Sequence, residues 1–298
     1  MANVGVCGAG MMGRHAVGAL LKAGFTVLVF DVSHAAREKV SNMGATVVDS
    51  PAAVMLQADV VLMSLPGPKE VRMCVVGEQG LLSTDETGKT IVDLSTVDPT
   101  SSIEMSVHAK KNGMEYLDAP VLGRPDTVGK WVFPIGGSSE GIEHARPVLE
   151  ALASRICPTG PVGSGNKIKL LNQLMSGAIN AVTGEVMAIA SEMGVPHKVL
   201  YETIAGSEAV TVSRLFIELS ERIIADHYTE PTFTVDLMLK DVRLAAEMAR
   251  EHGAPTILTR SVELINETAQ TAGLGAYDTS VLWKGVRGLW QKKQDRKS

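Results

Sequence analysis

Cysteine is scarce in this chain. Its 298 residues include three, Cys7, Cys74 and Cys157, widely spaced, with no CxxC pair and no histidine cluster at metal-ligand spacing. An odd and scattered set supports neither a disulfide framework nor a structural zinc, so no metal site is expected. Cys7 lies in an apolar strand pattern and reads as a buried, inert thiol, which suits a reducing compartment. Positive charge is short as well: 28 Lys and Arg stand against 33 Asp and Glu, for a formal net charge of -5. No broad basic face is available for a phosphate backbone, and nucleic acid is not an expected partner. The one basic cluster, Gln291 to Ser298, reads as a solvated helix end. No secretory leader is expected either, because the chain opens directly on the strand Val4 to Cys7; the expected location is cytoplasmic. The longest apolar stretch, Leu170 to Met193, carries Asn172, Gln173, Asn180, Glu185 and Glu192, which are costly in hydrocarbon, so it is expected to be a buried helix and no membrane association is expected. There is no internal repeat.

The residues that remain suffice for a globular protein. Hydrophobic side chains make up 45% of the chain and charged ones 20%, and the length suits two moderate domains. Up to about residue 160, short apolar runs alternate with amphipathic stretches. Val4 to Cys7, Thr26 to Phe30, Asp59 to Ser64, Thr90 to Leu94, Glu115 to Leu117 and Trp131 to Ile135 predict strands of a parallel sheet with helices on both faces. Beyond Gly165 the strand signal stops. Breaks at Gly194 to Pro196, His227 to Pro231, Gly253 to Pro255 and Gly273 to Gly275 divide helical patterns. The expectation is therefore an α/β N-terminal Rossmann domain, doubly wound with a mostly parallel sheet, over residues 1–162, and an all-α C-terminal domain over 163–298. A long helix near 166–193 joins them.

The most informative segment is V4-G-V-C-G8-A-G10-M-M-G13, which follows a strand, opens a helical pattern, and precedes a second strand ending at Asp31. In a dinucleotide site Gly8 permits the tight turn, Gly10 lets backbone N–H groups approach a pyrophosphate, and Gly13 lets helix pack on strand. The helix N-terminus, with Met11 and Met12 in its first turn, faces the negative charge. Asp31 can accept hydrogen bonds from the adenosine ribose and repels a 2'-phosphate, so NAD is preferred over NADP. His34 and Arg37 lie just beyond and keep NADP open.

Together with later motifs, the chain resembles the β-hydroxyacid dehydrogenase family, which includes 3-hydroxyisobutyrate dehydrogenase, tartronate semialdehyde reductase and, more distantly, 6-phosphogluconate dehydrogenase. The landmarks, in order, are the glycine turn, S64-L-P66, D93-L-S-T96, D118-A-P-V-L-G123, G163-S-G-N-K-I-K169-L-L-N172-Q173 and K240-D241. The resemblance implies oxidation of a small 3-hydroxy acid, or reduction of its semialdehyde, in a cleft between the two domains, with Lys169 as the catalytic acid/base. An ordinary lysine pKa of about 10.4 is too high for an efficient base at neutral pH, so burial or the nearby oxidised nicotinamide has to lower it. Lys167 is the rival in the same element, but two residues on a helix differ by about 200°, whereas Lys169, Asn172 and Gln173 share a face.

The resemblance also implies cofactor contacts from Leu65, Pro66, Thr96 and Lys240, with Thr96 between nicotinamide ribose and substrate. The chain departs from the family pattern in two places. Gln173 stands where the family has the asparagine that holds the substrate hydroxyl, with Asn172 just before it. The substrate loop reads D118-A-P-V-L122-G123-R124 where the family commonly has a serine and a second glycine at the last positions. Leu122 removes a hydroxyl that commonly binds a carboxylate, and Arg124 either replaces it with a bidentate guanidinium or is a surface residue beside Pro125. The tryptophans Trp131, Trp283 and Trp290 read as core or subunit-contact residues. The apolar helical domain suggests a homodimer or homotetramer. Two further readings stay open: reduction of a C=N bond, as in imine reductases of related fold, and an NAD-binding protein without turnover.

Overall fold

The computed structural model describes residues 3–208 and 211–294, with side chains through residue 288. Trp290 and the basic run Gln291 to Ser298 therefore fall outside the described side chains. The chain divides into two compact units, Met1–Lys169 and Leu170–Ser298.

In the first unit the strands are β1 (Asn3–Cys7), β2 (Thr26–Phe30), β3 (Thr46–Val47), β4 (Val60–Met63), β5 (Thr90–Asp93), β6 (Glu115–Asp118), β7 (Trp131–Gly136) and β8 (Ala153–Gly160). The helices between them are α1 (Met11–Lys22), α2 (His34–Ser41), α3 (Pro51–Met55), α4 (Pro68–Val76), α5 (Pro99–Lys111) and α6 (Ser139–Glu150). The strands form one sheet in the order β3-β2-β1-β4-β5-β6-β7-β8, parallel except between β6 and β7. Side chains alternate along each strand. Val4, Val6, Val60 and Leu62 pack on one face beneath α1, α2 and α6, through Val17, Leu20, Val40 and Leu149. Cys7, Val61, Met63 and Ile91 pack on the other beneath α3, α4 and α5, through Val54, Val71, Val75 and Met105. Both faces are covered, which is why the strands read as continuous apolar runs.

Two strands were not legible in the sequence. β3 is two residues long at the sheet edge, and β8 is mostly exposed or half-exposed, so neither shows an apolar run. The antiparallel step arises because the chain leaves β6, passes through the loop 119–130, and returns as β7, pairing at Asp118 and Gly136. Cys7 is buried as expected; the Cys74 sulfur beside it, together with burial, pushes its thiol well above the ordinary range.

The remaining elements are α7 (Ser164–Glu192), α8 (His197–Ala205), α9 (Arg214–Ile224), α10 (Val235–Glu251), α11 (Ile257–Ala269) and α12 (Leu282–Gln294). α7 begins in the first unit, and all of it beyond Lys169 belongs to the second, helical unit. α7 is buried along one face only. Leu170, Ala181, Met187 and Ala188 are inside, while Leu171, Met175, Val182 and Ile189 are exposed by 53, 67, 54 and 52%. The apolar composition of the helix extends around both faces, whereas its neighbours in the fold cover one.

Candidate active site

The parallel strands β1, β4, β5 and β6 end on the same edge of the sheet, and the chain runs outward in opposite directions from β1 and β4. A crevice outside such strand ends is where open α/β sheets bind ligands. At the end of β1, Gly8 has φ of +94° and its N–H bonds to Phe30 O at 2.9 Å. A Cβ on Gly13 would lie 1.9 Å from Gly8 O, so this residue has to be glycine for α1 to start where it does. Gly10 is different: a Cβ there would meet nothing within 4 Å. Space is therefore open beside Gly10. Gly10 caps α1 without a side-chain hydrogen bond, the first turn of α1 holds no acid, and Met11 is exposed. Backbone N–H groups of a first helical turn have no partner in their own helix, so these residues fit a dinucleotide phosphate.

Asp31, just after β2, reaches back to this turn. Its Oδ2 accepts from Ala9 N at 2.6 Å and its Oδ1 from Ser33 N at 2.7 Å. The carboxylate thus ties the glycine turn to the start of α2, a role the sequence pattern did not disclose. His34 is exposed and Arg37 half-buried on α2.

The neighbouring loops are tied together by side chains. Leu65 N donates to Ser95 Oγ at 2.9 Å, joining the loop after β4, which carries Leu65 and Pro66, to the loop after β5, which carries Thr96. Ser95 N in turn donates to Asp93 Oδ1 at 2.9 Å, and Tyr116 OH donates to Asp93 Oδ2 at 2.8 Å. Burial and the Asp93 charge push the Tyr116 phenol up, so it remains a donor. Asn166, fully buried in the first turn of α7, accepts from Val97 N at 3.2 Å and donates to Ser102 Oγ at 3.2 Å. Its position among the glycines of G163-S-G-N gave the only sequence signal for this role.

Lys169 is half-buried and donates from Nζ to Val121 O at 2.8 Å, while Lys167 is exposed. The lysine therefore lies on the loop that follows β6. Within that loop Leu122 pairs in both directions with Val132, and Trp131 Nε1 donates to Arg124 O at 2.7 Å. Gly123 faces the Trp131 ring so closely that a Cβ would sit 2.5 Å from Cδ1. Trp131 itself is fully buried, as a core residue. The Arg124 side chain is half-buried. A separate cavity of about 540 Å³ lies on the outer face of α1, lined by Arg14, His15, Lys22, Met43 and Gly129; none of the candidate site residues lines it.

In the helical unit, Gln173 is buried and donates from Nε2 to Asp241 Oδ2 at 2.5 Å. Lys240 Nζ pairs with Asp241 Oδ1 at 2.8 Å, so the residues Gln173, Lys240 and Asp241 come together. Asn172 is exposed on α7, and its amide lies 3.5 Å from Gln173 Oε1.

Residues 3–160 match the NAD binding domain of 6-phosphogluconate dehydrogenase, and residues 163–285 match the NAD-binding family of NADP-dependent 3-hydroxyisobutyrate dehydrogenase. The chain is 32% identical to a probable mitochondrial 3-hydroxyisobutyrate dehydrogenase of Dictyostelium discoideum, covering 94% of this chain and 89% of that one. It is 30% identical to 2-(hydroxymethyl)glutarate dehydrogenase of Eubacterium barkeri, covering 96% of each. The crystal structure of a 3-hydroxyisobutyrate dehydrogenase from Salmonella typhimurium superimposes with a TM-score of 0.89 at 26% identity, over 95% of this chain and 99% of that one. The chain belongs to the β-hydroxyacid dehydrogenase family, of the 3-hydroxyisobutyrate dehydrogenase type, whose members are NAD(P)-dependent oxidoreductases acting on the hydroxyl group of small hydroxy acids.

Proposed function

We propose that this enzyme oxidises a small 3-hydroxy acid to its aldehyde, or reduces the aldehyde, with NAD as cofactor and Lys169 as the general acid/base. The observation that carries the reading is the Lys169 amine, half-buried and held on the Val121 carbonyl in the loop after β6. The nicotinamide, when bound, supplies the hydride acceptor. The chain's own part is then to remove the hydroxyl proton, and Lys169 Nζ, reaching this loop from α7, is the group to take it. Residues 1–162 would be the cofactor domain and 163–298 the helical substrate and oligomerisation domain.

What two of the relatives act on supports one substrate pattern. 3-Hydroxyisobutyrate and 2-(hydroxymethyl)glutarate share a primary alcohol on the carbon next to the one bearing a carboxylate, and differ in the group on the carbon between. A substrate of that pattern suits Arg124 as the carboxylate clamp in place of the hydroxyl missing at Leu122. Asp31 supports NAD over NADP, since a second negative charge would be set against a carboxylate already fixed by two N–H groups. The exposed apolar stripe of α7, Leu171, Met175, Val182 and Ile189, fits a second copy of the chain as partner, in a dimer or tetramer.

The test is turnover of a panel of 3-hydroxy acids, with and without the carboxylate, by the parent and by Lys169→Ala. Loss of turnover by about 100-fold or more with NAD affinity retained supports the reading. Undiminished turnover in Lys169→Ala removes it. A parent that binds NAD but turns over no member of the panel points to the binding-protein reading instead.

A further inference from the structure

We infer that Asp118 is a positioning residue for Lys169, fixing the start of α7 so that the amine meets the substrate loop in one place. The inference rests on the proposed role of Lys169. Asp118 ends β6 and is fully buried. Its Oδ1 accepts from Gly163 N and its Oδ2 from Asn166 N, both at 2.7 Å. These N–H groups belong to the turn that begins α7 and to its first turn, where helical donors otherwise lack partners. A strand thus caps a helix distant in sequence. Three residues further along the same loop, the Val121 carbonyl accepts from Lys169 Nζ. The segment 118–121 therefore grips α7 twice, once at its origin and once at the reactive amine.

A helix can be started far more cheaply. A serine or threonine in the preceding turn would satisfy the same donors without burying an acid. Here burial pushes the Asp118 carboxyl up to about 7, against the two N–H bonds that favour its ionised form, and the Asp93 charge adds to the rise. Asp93 on β5 acts on this carboxyl through its charge, and Asp118 acts in the same way on the Tyr116 phenol of β6. The surroundings are shaped for the carboxylate: a Cβ on Gly136 would lie 2.3 Å from Oδ1, and one on Gly165 would lie 2.5 Å from Asp118 O and 3.1 Å from Oδ2. Asn166 extends the tie to Val97, beside Thr96, so the helix origin is registered against two of the loops at the strand ends. A rigid origin matters because Lys169 sits less than two turns from it, and a displacement of about 1 Å at a proton-transfer group can cost 100-fold in rate.

Asp118→Asn keeps one acceptor oxygen but sets its NH2 group against the other of the two N–H donors, and Asp118→Ser removes the charge without that conflict. Both should lower kcat by about 10- to 100-fold while leaving KM for NAD within about threefold, and both should speed hydrogen exchange at the Gly163 and Asn166 amides. In a Lys169→Ala background, Asp118→Ser should cost no further turnover, because its effect passes through the lysine. Unchanged kcat in both Asp118 variants, or an equal cost with and without Lys169, overturns the inference. If neither variant folds, hydrogen exchange in the unaltered protein decides: slow exchange at Gly163 and Asn166 is expected, and exchange as fast as at an ordinary frayed helix start refutes the tie. Turnover retained in Lys169→Ala sinks the lysine reading itself; turnover lost there but kept in the Asp118 variants sinks only this one.

Discussion

Substituting the glycines at positions 10 and 13 by alanine should have opposite consequences, because one is required by the protein and the other by what the protein holds. At Gly13 the added Cβ would lie 1.9 Å from Gly8 O, and ordinary contact begins at 3.4 Å, so helix and turn must separate by about 1.5 Å. Both sides of that contact are backbone, which leaves no flexible side chain to yield. Overpacking of this kind costs roughly 3 kcal/mol, and a unit of this size loses about 2–4 °C in Tm per kcal/mol. Gly13→Ala should therefore melt about 6–12 °C below the parent. At Gly10 a Cβ meets nothing within 4 Å and φ is -63°, which any residue adopts. Alanine caps the helix less well than glycine, a loss of about 1 kcal/mol or less. The new methyl group would instead occupy the approach of the pyrophosphate, and NAD should bind 10- to 100-fold more weakly, about 1.4–2.8 kcal/mol. Calorimetric melting without cofactor and titration calorimetry with NAD measure the two effects separately. A Gly13→Ala protein that melts with the parent, or a Gly10→Ala protein that binds NAD normally, would refute the assignment of the turn.

Asp31→Asn should raise the ratio of kcat/KM for NADP to that for NAD by about tenfold, and an unchanged ratio would show that Asp31 serves only to tie the turn. Arg124→Gln should raise KM about tenfold for hydroxy acids, by loss of a charged pair, and leave uncharged alcohols unaffected; equal effects on both would place the guanidinium away from the carboxylate. Asp118 has a native pKa raised to about 7 from 3.8, so between these values the folded protein holds more protons than the unfolded chain. Its contribution to stability therefore falls as pH rises from about 4 to 7, by up to about 1.4 kcal/mol per pH unit. Urea midpoints across that range should show this slope in the parent and lack it in Asp118→Ser. Replacing Leu171 and Val182 by lysine should shift the protein towards monomer in light scattering if the exposed stripe of α7 seats a second copy.

The local pattern was sufficient for much of this molecule. Alternation of apolar runs with helical periods foretold the covered sheet and the helical second half, because strands buried on both faces are continuous in hydrophobicity. The glycine turn was legible because Gly8 and Gly13 answer local demands, a positive φ and a close approach, that few other residues meet. What joins these pieces was not legible. The edge strands β3 and β8 lack the buried face that makes a strand visible, and the reversed direction of β7 depends on where a loop takes the chain. Asp118 read only as the first letter of a loop motif, and Asn166 as a residue among glycines. Their work lies in hydrogen bonds spanning 48 and 69 residues, which exist only once β5, β6 and α7 are assembled. The sequence by itself determined that a glycine turn of dinucleotide-binding form stands at the start of the chain and a candidate lysine at the start of the helical half. Tertiary structure decided which carboxylate fixes the lysine's helix and which carbonyl receives its amine, because those contacts are properties of the packed sheet and of no single segment.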